Sequence, residues 1–405
     1  VHLVVIIFKG DRAAWKAEDM VHEMSSLVEA CKGIVAGHTV VRLDKVTAST
    51  YIGEGKLQEI VLVCPSGEVD TVIFSHELKG SQQRNLEEVL KVKVIDRTEL
   101  ILDIFARRAT STEGKMQVEL AQLGYLMPRL VGHGTEMSRL GIGTQGPGET
   151  KLEMDRRKIN DRIARLSDEL KEVIKNRSLK RKKRQTQVAT VTLVGYTNAG
   201  KSTLFNALTS EQQRTQDGLF TTLDSVSRQV TLPNHQKIVL CDTVGFIHDL
   251  PHHLVESFKA TLEEVKEADL LLHVLDISHP NFRQYYEAVL KVLDDLQALE
   301  KPMLVVLNKT DKLEDPELAG GIQVNFEESV CISALKKENV SGLMDRIAHM
   351  LSGMFVEITV DIPIGRMDLV NLAHKEGEVA SIKYYNDHIN LRVSLPAHLA
   401  GKFKI

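Results

Sequence analysis

Cysteine is scarce in this 405-residue chain: Cys31, Cys64, Cys241 and Cys331 lie far apart, each ending or following an apolar run. A disulfide framework or zinc site needs paired, closely spaced thiols, so the spacing argues against both. The four read instead as small buried hydrophobes in a reducing compartment. Long apolar runs are missing as well. The opening VHLVVIIF breaks at Lys9-Gly10-Asp11, too short for a signal-sequence core and far too short to span a bilayer, so a cytoplasmic location is expected. An excess of positive charge is also absent. With a formal net charge of -4 the summed field mildly repels polyanions, and any nucleic-acid contact must come from a local basic patch. What is present, 43% hydrophobic and 26% charged residues, is the composition of a folded protein and removes global disorder. At this length two to four domains are expected.

The first hundred residues alternate apolar runs with helical patterns: VVIIF, Ala17 to Cys31, TVVRL, Gly55 to Val63, DTVIF, Asn85 to Leu90 and VKVI. That alternation predicts a small parallel α/β domain over residues 1–103. Its turn Gly53-Glu54-Gly55-Lys56 lacks full P-loop or dinucleotide spacing and reads as a tight turn entering a helix. Residues 104–186 carry two amphipathic series, Leu120, Leu123, Met127, Leu130 and then Ile159, Ile163, Leu166, Leu170, Val173, expected to form a helical hairpin. The glycine-rich stretch between them is too long for an ordinary connection, which favours function. Arg129, Arg139 and Lys151 place positive charge beside its backbone amides, where phosphates would be met. The block Lys175 to Arg184, with Lys180, Arg181 and Lys182 at its centre, is either a solvated linker or an RNA contact, which salt dependence would separate.

The strand pattern Val191 to Val194 runs straight into Gly195-Tyr196-Thr197-Asn198-Ala199-Gly200-Lys201-Ser202, followed by Thr203 and a helical series. This is GxxxxGKS in its strand-loop-helix context. Gly195 and Gly200 permit close approach, so that successive N–H groups point at a β-phosphate. Lys201 supplies a cation to the β and γ oxygens, and Ser202 a hydroxyl to Mg²⁺. A second apolar strand ends in Asp242-Thr243-Val244-Gly245, where a carboxylate holds the Mg²⁺ shell and the Gly245 amide reaches the γ-phosphate. Two further strand ends deliver Asn308-Lys309-Thr310-Asp311 and Ser333-Ala334-Leu335-Lys336. A carboxylate at Asp311 accepts from the N1–H and 2-amino group of guanine, a donor pair adenine lacks, so GTP is the expected ligand. Thr222, in Phe220-Thr221-Thr222-Leu223-Asp224, is expected to close on Mg²⁺ with GTP and release after hydrolysis. Lys201, Thr222 and Gly245 are therefore the candidate catalytic groups, and Ser202, Thr222 and Asp242 the candidate metal ligands.

The fold expected is α/β: a central P-loop GTPase domain with a Ras-like doubly wound sheet over 187–354, flanked by the amino-terminal α/β domain, the helical hairpin and a small α+β domain over 355–405. That last segment reads as strand, helix and a hairpin turning at Asn386-Asp387.

These residues resemble the HflX family of translation-associated GTPases over nearly the whole chain. The resemblance is carried by Val194 to Ser202, Leu219 to Asp224, Asp242 to Phe246 with Leu250-Pro251, and above all by Thr144-Gln145-Gly146-Pro147-Gly148-Glu149-Thr150-Lys151 before Asp155-Arg156-Arg157. Val94 to Arg97 and Leu120 to Leu123 look like the family too. The resemblance implies a GTPase that binds the large ribosomal subunit and its RNA and splits stalled ribosomes under stress; GTP and GDP are the expected ligands, and a monomer is expected. Where many small GTPases carry a water-orienting Gln, this chain has Phe246, which cannot polarise water. Slow intrinsic turnover with stimulation by ribosomes is expected. Asn198 stands where several related GTPases bind K⁺ beside the phosphates, while its other role is hydrogen-bonding of the loop. Alternatives are a GTPase of RNA or ribosome maturation, an ATP-using RNA remodeller acting through the glycine turn, and a nucleotide-binding scaffold, against which intact Lys201, Ser202, Asp242 and Asp311 argue.

Overall fold

The computed structural model describes residues 1–9, 15–64, 69–130, 147–185, 188–209, 220, 226–248, 259–315, 317–352 and 355–403. The chain divides into two compact units: Val1–Val173 with Gly218–Leu223 and Pro251–Phe258, and Ile174–Asp217 with Asp224–Leu250 and Lys259–Ile405.

In the first unit, strands β1 (His2–Phe8), β2 (Gly37–Leu43), β3 (Thr71–Phe74) and β4 (Lys93–Asp96) form a parallel sheet in the order β2-β1-β3-β4. Parallel strands need crossover helices, and α1 (Ala17–Ala30), α2 (Glu54–Val63) and α3 (Gly80–Leu90) supply them as the apolar alternation predicts. The core is built from Val4, Ile6, Val41, Ile52, Ile60, Val72, Phe74 and Leu86. Gly53 is the residue before α2, and a Cβ on Gly53 or Gly55 would meet nothing within 4 Å, as expected for a turn entering a helix.

Asp96 closes β4 and opens α4 (Arg97–Arg108). Its Oδ1 accepts from the Glu99 N–H at 2.9 Å, an N-terminal cap that also favours the helix dipole. Its Oδ2 accepts from the Leu78 N–H at 2.9 Å and from Arg129 Nη2 at 3.0 Å. Arg129 lies at the end of α5 (Thr112–Leu130), donates also to the carbonyls of Leu78 (2.7 Å) and Tyr125 (2.8 Å), and stacks its guanidinium 3.3 Å from the Tyr125 ring centroid. The expectation that Arg129 offers free charge to phosphates is corrected: its partner is a fully buried carboxylate, which fixes α5 to the sheet.

The second amphipathic series lies within α6 (Pro147–Gln185), a 39-residue helix. Leu166 and Leu170 are buried, and Arg162 grips Glu119 of α5 through two 2.7 Å bonds. The block containing Lys180, Arg181 and Lys182 is helical, and Pro147 to Lys151 form the first turn of α6, proline suiting a first helical position. Arg139 and the glycine-rich run lie outside the described residues.

In the second unit, β5 (Ala189–Val194), β6 (Val226–Thr231), β7 (Lys237–Asp242), β8 (Leu270–Asp276), β9 (Met303–Asn308) and β10 (Ser329–Cys331) form a sheet ordered β10-β9-β8-β5-β7-β6. All neighbours are parallel except β6 with β7. Helices α7 (Lys201–Thr209), α8 (Lys259–Lys266), α9 (Phe282–Asp295), α10 (Glu317–Gln323) and α11 (Val340–Met350) connect the strands. Predominantly apolar strands such as Leu270 to Leu275, buried on both faces, are what a covered parallel sheet requires. The chain crosses from β7 to β8 over β5, so the strand order reverses beside β5. Ligands bind outside the carboxyl ends of strands at such a switch point.

The segment from Phe355 folds as β11 (Phe355–Pro363), α12 (Met367–Glu376), β12 (Glu378–Tyr384) and β13 (His388–Pro396), an antiparallel sheet ordered β11-β13-β12 around its own core of Ile362, Leu369, Leu391 and Val393. The hairpin turns where the Asn386-Asp387 pair predicts it. Among the described residues no helix is long and apolar enough to cross a membrane.

Candidate functional site

Five segments meet at the carboxyl ends of β5, β7, β8, β9 and β10. The first is the loop Gly195 to Gly200, between β5 and α7. Gly195 (φ 151°) and Gly200 (φ 95°) adopt backbone that L residues avoid. A Cβ at Gly195 would lie 2.3 Å from the Val274 carbonyl oxygen, and one at Gly200 2.3 Å from Asn308 Nδ2. Glycine is therefore required here by the neighbouring strand ends, a constraint additional to the close ligand approach read from sequence.

Lys201 begins α7 and folds its ammonium back over the loop, donating to the carbonyls of Gly195 (3.1 Å) and Tyr196 (2.8 Å). Burial lowers its pKa to about 8; Asp242 opposes the shift and Lys309 adds to it. Ser202 donates its hydroxyl to Asp242 Oδ2 at 2.8 Å, with both residues buried. Two hard oxygens side by side suit Mg²⁺, which keeps few protein ligands and takes the rest from water and phosphate. Thr203 is half-buried and Asn198 is exposed with φ 61°.

The second segment, Asp242 to Gly245, is drawn against this loop. Thr243 donates to the Leu193 carbonyl at 2.6 Å, the Phe246 N–H to the Gly195 carbonyl at 3.0 Å, and the Thr197 N–H to the Phe246 carbonyl at 2.7 Å. Val244 is buried as well. The His248 N–H donates to the Tyr196 hydroxyl at 2.9 Å, and the Tyr196 ring stacks on Tyr285 of α9 with centroids 4.2 Å apart.

The base-reading end is equally ordered. Asn308 donates to the Ala199 carbonyl (2.9 Å) and accepts from the Ala334 N–H (3.0 Å), so one side chain ties β9 to the phosphate loop and to the segment after β10. Ser333 donates to Asp311 Oδ1 at 2.6 Å, orienting the carboxylate read as the guanine acceptor. Lys309 takes a left-handed backbone (φ 65°) and pairs with Asp276 at 2.7 Å. Leu335 is 71% exposed while Ala334 and Ser333 are buried, leaving an apolar side chain at the rim.

Of the candidate residues, the structure brings together Gly195 to Thr203, Asp242 to Gly245, Asn308, Lys309, Asp311 and Ser333 to Leu335. Thr222 lies outside the described residues. Lys151, Lys180, Arg181 and Lys182 fall on α6, before the phosphate loop in the chain. Sequence reasoning missed Asp276 and His273, both on β8. His273 is fully buried in the run LLLHVLD and stacks on Tyr286 of α9 at 4.9 Å, with no signal beyond being the one polar residue among apolar neighbours.

A phosphate loop, a serine and aspartate pair, and a carboxylate reader at successive strand ends of a doubly wound sheet define a P-loop GTPase. Family models match along the chain: GTP-binding GTPase N-terminal over residues 18–106, GTP-binding GTPase Middle Region over 108–184, 50S ribosome-binding GTPase over 190–309 and HflX C-terminal domain over 323–402. The chain is 46% identical over 358 residues to GTPase HflX of Alkalihalophilus pseudofirmus, covering 88% of this chain and 84% of that one. Identity to GTPase HflX of Escherichia coli is 43% over 366 residues, covering 89% and 85%. A solved GTP-binding protein from Sulfolobus solfataricus, in complex with GDP, is similar at 28% identity, covering 87% of this chain and 99% of that one with a TM-score of 0.44. This chain belongs to the HflX family of GTPases, and it hydrolyses GTP.

Proposed function

We propose that this chain is a cytoplasmic GTP-driven switch that binds the large ribosomal subunit and dissociates stalled ribosomes under stress. The observation that carries the switch is the buried contact of Ser202 with Asp242 beside the Lys201 ammonium. In this reading Gly195 to Thr203 cradle the phosphates, and Lys201 and the Gly245 amide grip the γ-phosphate. Ser202, Asp242 and Thr222 hold Mg²⁺, which when bound neutralises developing charge on the phosphates. Asn308, Lys309, Asp311 and Ser333 to Leu335 hold the guanine. Asn198 is the residue to which K⁺ would bind.

The ribosomal half of the proposal is supported by the family, one of whose matching models is described as a 50S ribosome-binding GTPase. It divides the labour among residues 1–103, 104–186, 187–354 and 355–405, with Arg139, Lys151, Lys180, Arg181 and Lys182 contacting RNA. Phe246 leaves the water without a Gln partner, so intrinsic turnover is slow and ribosomes accelerate it, by about 10³ to 10⁵ where a partner completes such a site. The test is sedimentation with purified large subunits. Binding in a non-hydrolysable GTP analogue but not in GDP, and loss of 70S particles on adding GTP, are expected; nucleotide-independent sedimentation, or 70S particles left intact, would overturn it.

A further inference from the structure

The segment that follows Asp242 is held against the phosphate loop by bonds of two kinds. The Phe246 N–H donates to the Gly195 carbonyl at 3.0 Å and the Thr197 N–H to the Phe246 carbonyl at 2.7 Å, which makes Tyr196 and Phe246 partners in a short parallel bridge. Main chain meets main chain in both, so neither depends on side-chain identity. A further bond does. The His248 N–H donates to the Tyr196 hydroxyl at 2.9 Å, catching the segment two residues beyond that bridge.

The hydroxyl is aimed by its surroundings. The Tyr196 ring is buried and lies on Tyr285 with centroids 4.2 Å apart and planes 9° apart. Tyr285 in turn shares a 3.2 Å hydrogen bond with His279 Nε2, and His279 Nδ1 accepts from the Asn281 N–H at 3.1 Å. The turn before α9 therefore seats the ring, and the ring sets the point at which the segment is caught. Phenylalanine would fill the same stack, so packing alone does not call for the hydroxyl.

What this bond steadies is the position of Gly245. A Cβ there would lie 2.9 Å from Lys201 Nζ and 2.9 Å from Thr197 Cα, so the Gly245 backbone sits directly against the ammonium and the loop. In the functional reading above, Lys201 and the Gly245 amide grip one γ-phosphate, the group that GTP has and GDP lacks. Their closeness in the fold is what a shared grip requires. Hydrogen bonds weaken steeply with distance and angle, so drift of this backbone away from Lys201 would cost the γ-phosphate contact first.

We propose that Tyr196 is a positioning residue for the γ-phosphate: its hydroxyl latches the backbone at His248, keeps the Gly245 amide beside Lys201, and thereby sets how well the site tells GTP from GDP. Hydrolysis depends on the same latch, because the amide must stay in place while the γ-phosphoryl group is transferred. The inference rests on Gly245 being a γ-phosphate ligand.

Tyr196→Phe removes the hydroxyl and keeps the stack. Affinities of the full-length protein for GDP and for a non-hydrolysable GTP analogue, both with Mg²⁺, are measured with the single-turnover rate of bound GTP. GDP affinity is expected to stay within about twofold of wild type, while the preference for the analogue over GDP falls about 3- to 10-fold and hydrolysis slows by at least about threefold. A wild-type preference or a wild-type rate would overturn the role. Equal weakening of both nucleotides would do so too, since a merely structural defect moves GTP and GDP together. If thermal melting shows Tyr196→Phe to be unfolded, Tyr285→Leu, which unseats the Tyr196 ring, is read by the same criteria. Gly245→Ala tells the two failures apart, and is expected to lose the preference for the analogue. If it keeps that preference, Gly245 is not a γ-phosphate ligand and the underlying reading falls with the proposal; if it loses it while Tyr196→Phe behaves as wild type, the latch alone falls.

Discussion

The Lys309 ammonium and the Asp276 carboxylate meet at 2.7 Å, at the ends of adjacent parallel strands where Asp276 pairs in register with Asn308. Asp276 also accepts from the Ser278 N–H (3.0 Å) and hydroxyl (2.6 Å), so it is itself held in place before it holds Lys309. Lys309 sits in the motif proposed to face the guanine, and the pair is mostly shielded, with 17% and 16% of the side chains exposed. Replacing Asp276 by Asn keeps the shape and removes the charge. GTP affinity is expected to weaken by roughly 5- to 30-fold, about 1 to 2 kcal/mol, with the single-turnover rate of bound GTP unchanged. Calorimetric titration of both proteins checks this, and equal affinities would show the pair to be incidental.

The Lys201 ammonium gives binding a pH signature. Burial brings its pKa from 10.5 down to about 8, so above pH 8 the nucleotide-free protein carries it neutral. A bound triphosphate favours the charged form, raises the pKa again and requires a proton from solvent. GTP binding is therefore expected to take up a proton near pH 8.5 to 9 and almost none at pH 6.5, with affinity falling by at most about tenfold per pH unit above 8. Calorimetry in two buffers of different ionisation enthalpy reads the uptake, and none at pH 9 would contradict the burial of this group.

His273 affects stability in acid. Burial, and secondarily the Lys201 charge, lowers its pKa from 6.5 to about 3, and neither ring nitrogen has a hydrogen-bond partner among the described residues. Between those two values the unfolded chain binds a proton that the native protein refuses. Stability is therefore lost as pH falls through 6.5, by up to roughly 1.4 kcal/mol per unit. Phe in its place keeps a ring on Tyr286 and removes two desolvated nitrogens. Urea unfolding of His273→Phe at pH 7 is expected to show a gain of about 1 to 2 kcal/mol and a flatter response to acid. Destabilisation at pH 7 would mean that the larger ring does not fit.

Arg129 and Asp96 form the counterpart in the first unit. Removing the guanidinium leaves a carboxylate with 0% exposure without its cationic partner. Arg129→Met is expected to destabilise this unit by about 3 to 5 kcal/mol and open it to limited proteolysis, while GTP affinity stays at the wild-type value. Loss of GTP binding in parallel with unfolding would show the two units to be thermodynamically one.

The strand-end motifs were legible because each demands unusual residue types directly after an apolar run. The same holds for the parallel α/β sheet at the amino terminus, where alternation alone dictates crossovers. Lone polar residues were not legible. Asp276 has no motif around it, and His273 looks like any member of its strand. Arg129 reads as free charge because its partner Asp96 is 33 residues away and a pairing across that distance leaves no periodic trace. The full length of α6 escaped for another reason: a run of basic residues carries no apolar stripe from which a helix could be read. Cys31 and Cys331 are only partly buried, and Cys31 donates towards Asp103 at 3.5 Å with its pKa pushed up to about 11, so it is an inert thiol though not a wholly buried one.

Phe220 stacks edge-on against Phe105 of α4 with centroids 4.7 Å apart, and both are only 2% exposed. Residues Gly218–Leu223 thus belong to the compact unit built by the amino-terminal segment, although the chain on either side of them belongs to the other. A truncated protein beginning near residue 187 would keep every nucleotide motif yet leave this aromatic ring bare to water. Its kinetics would describe a mutilated loop, and comparisons of isolated GTPase fragments with intact chains should be designed with that missing partner in view.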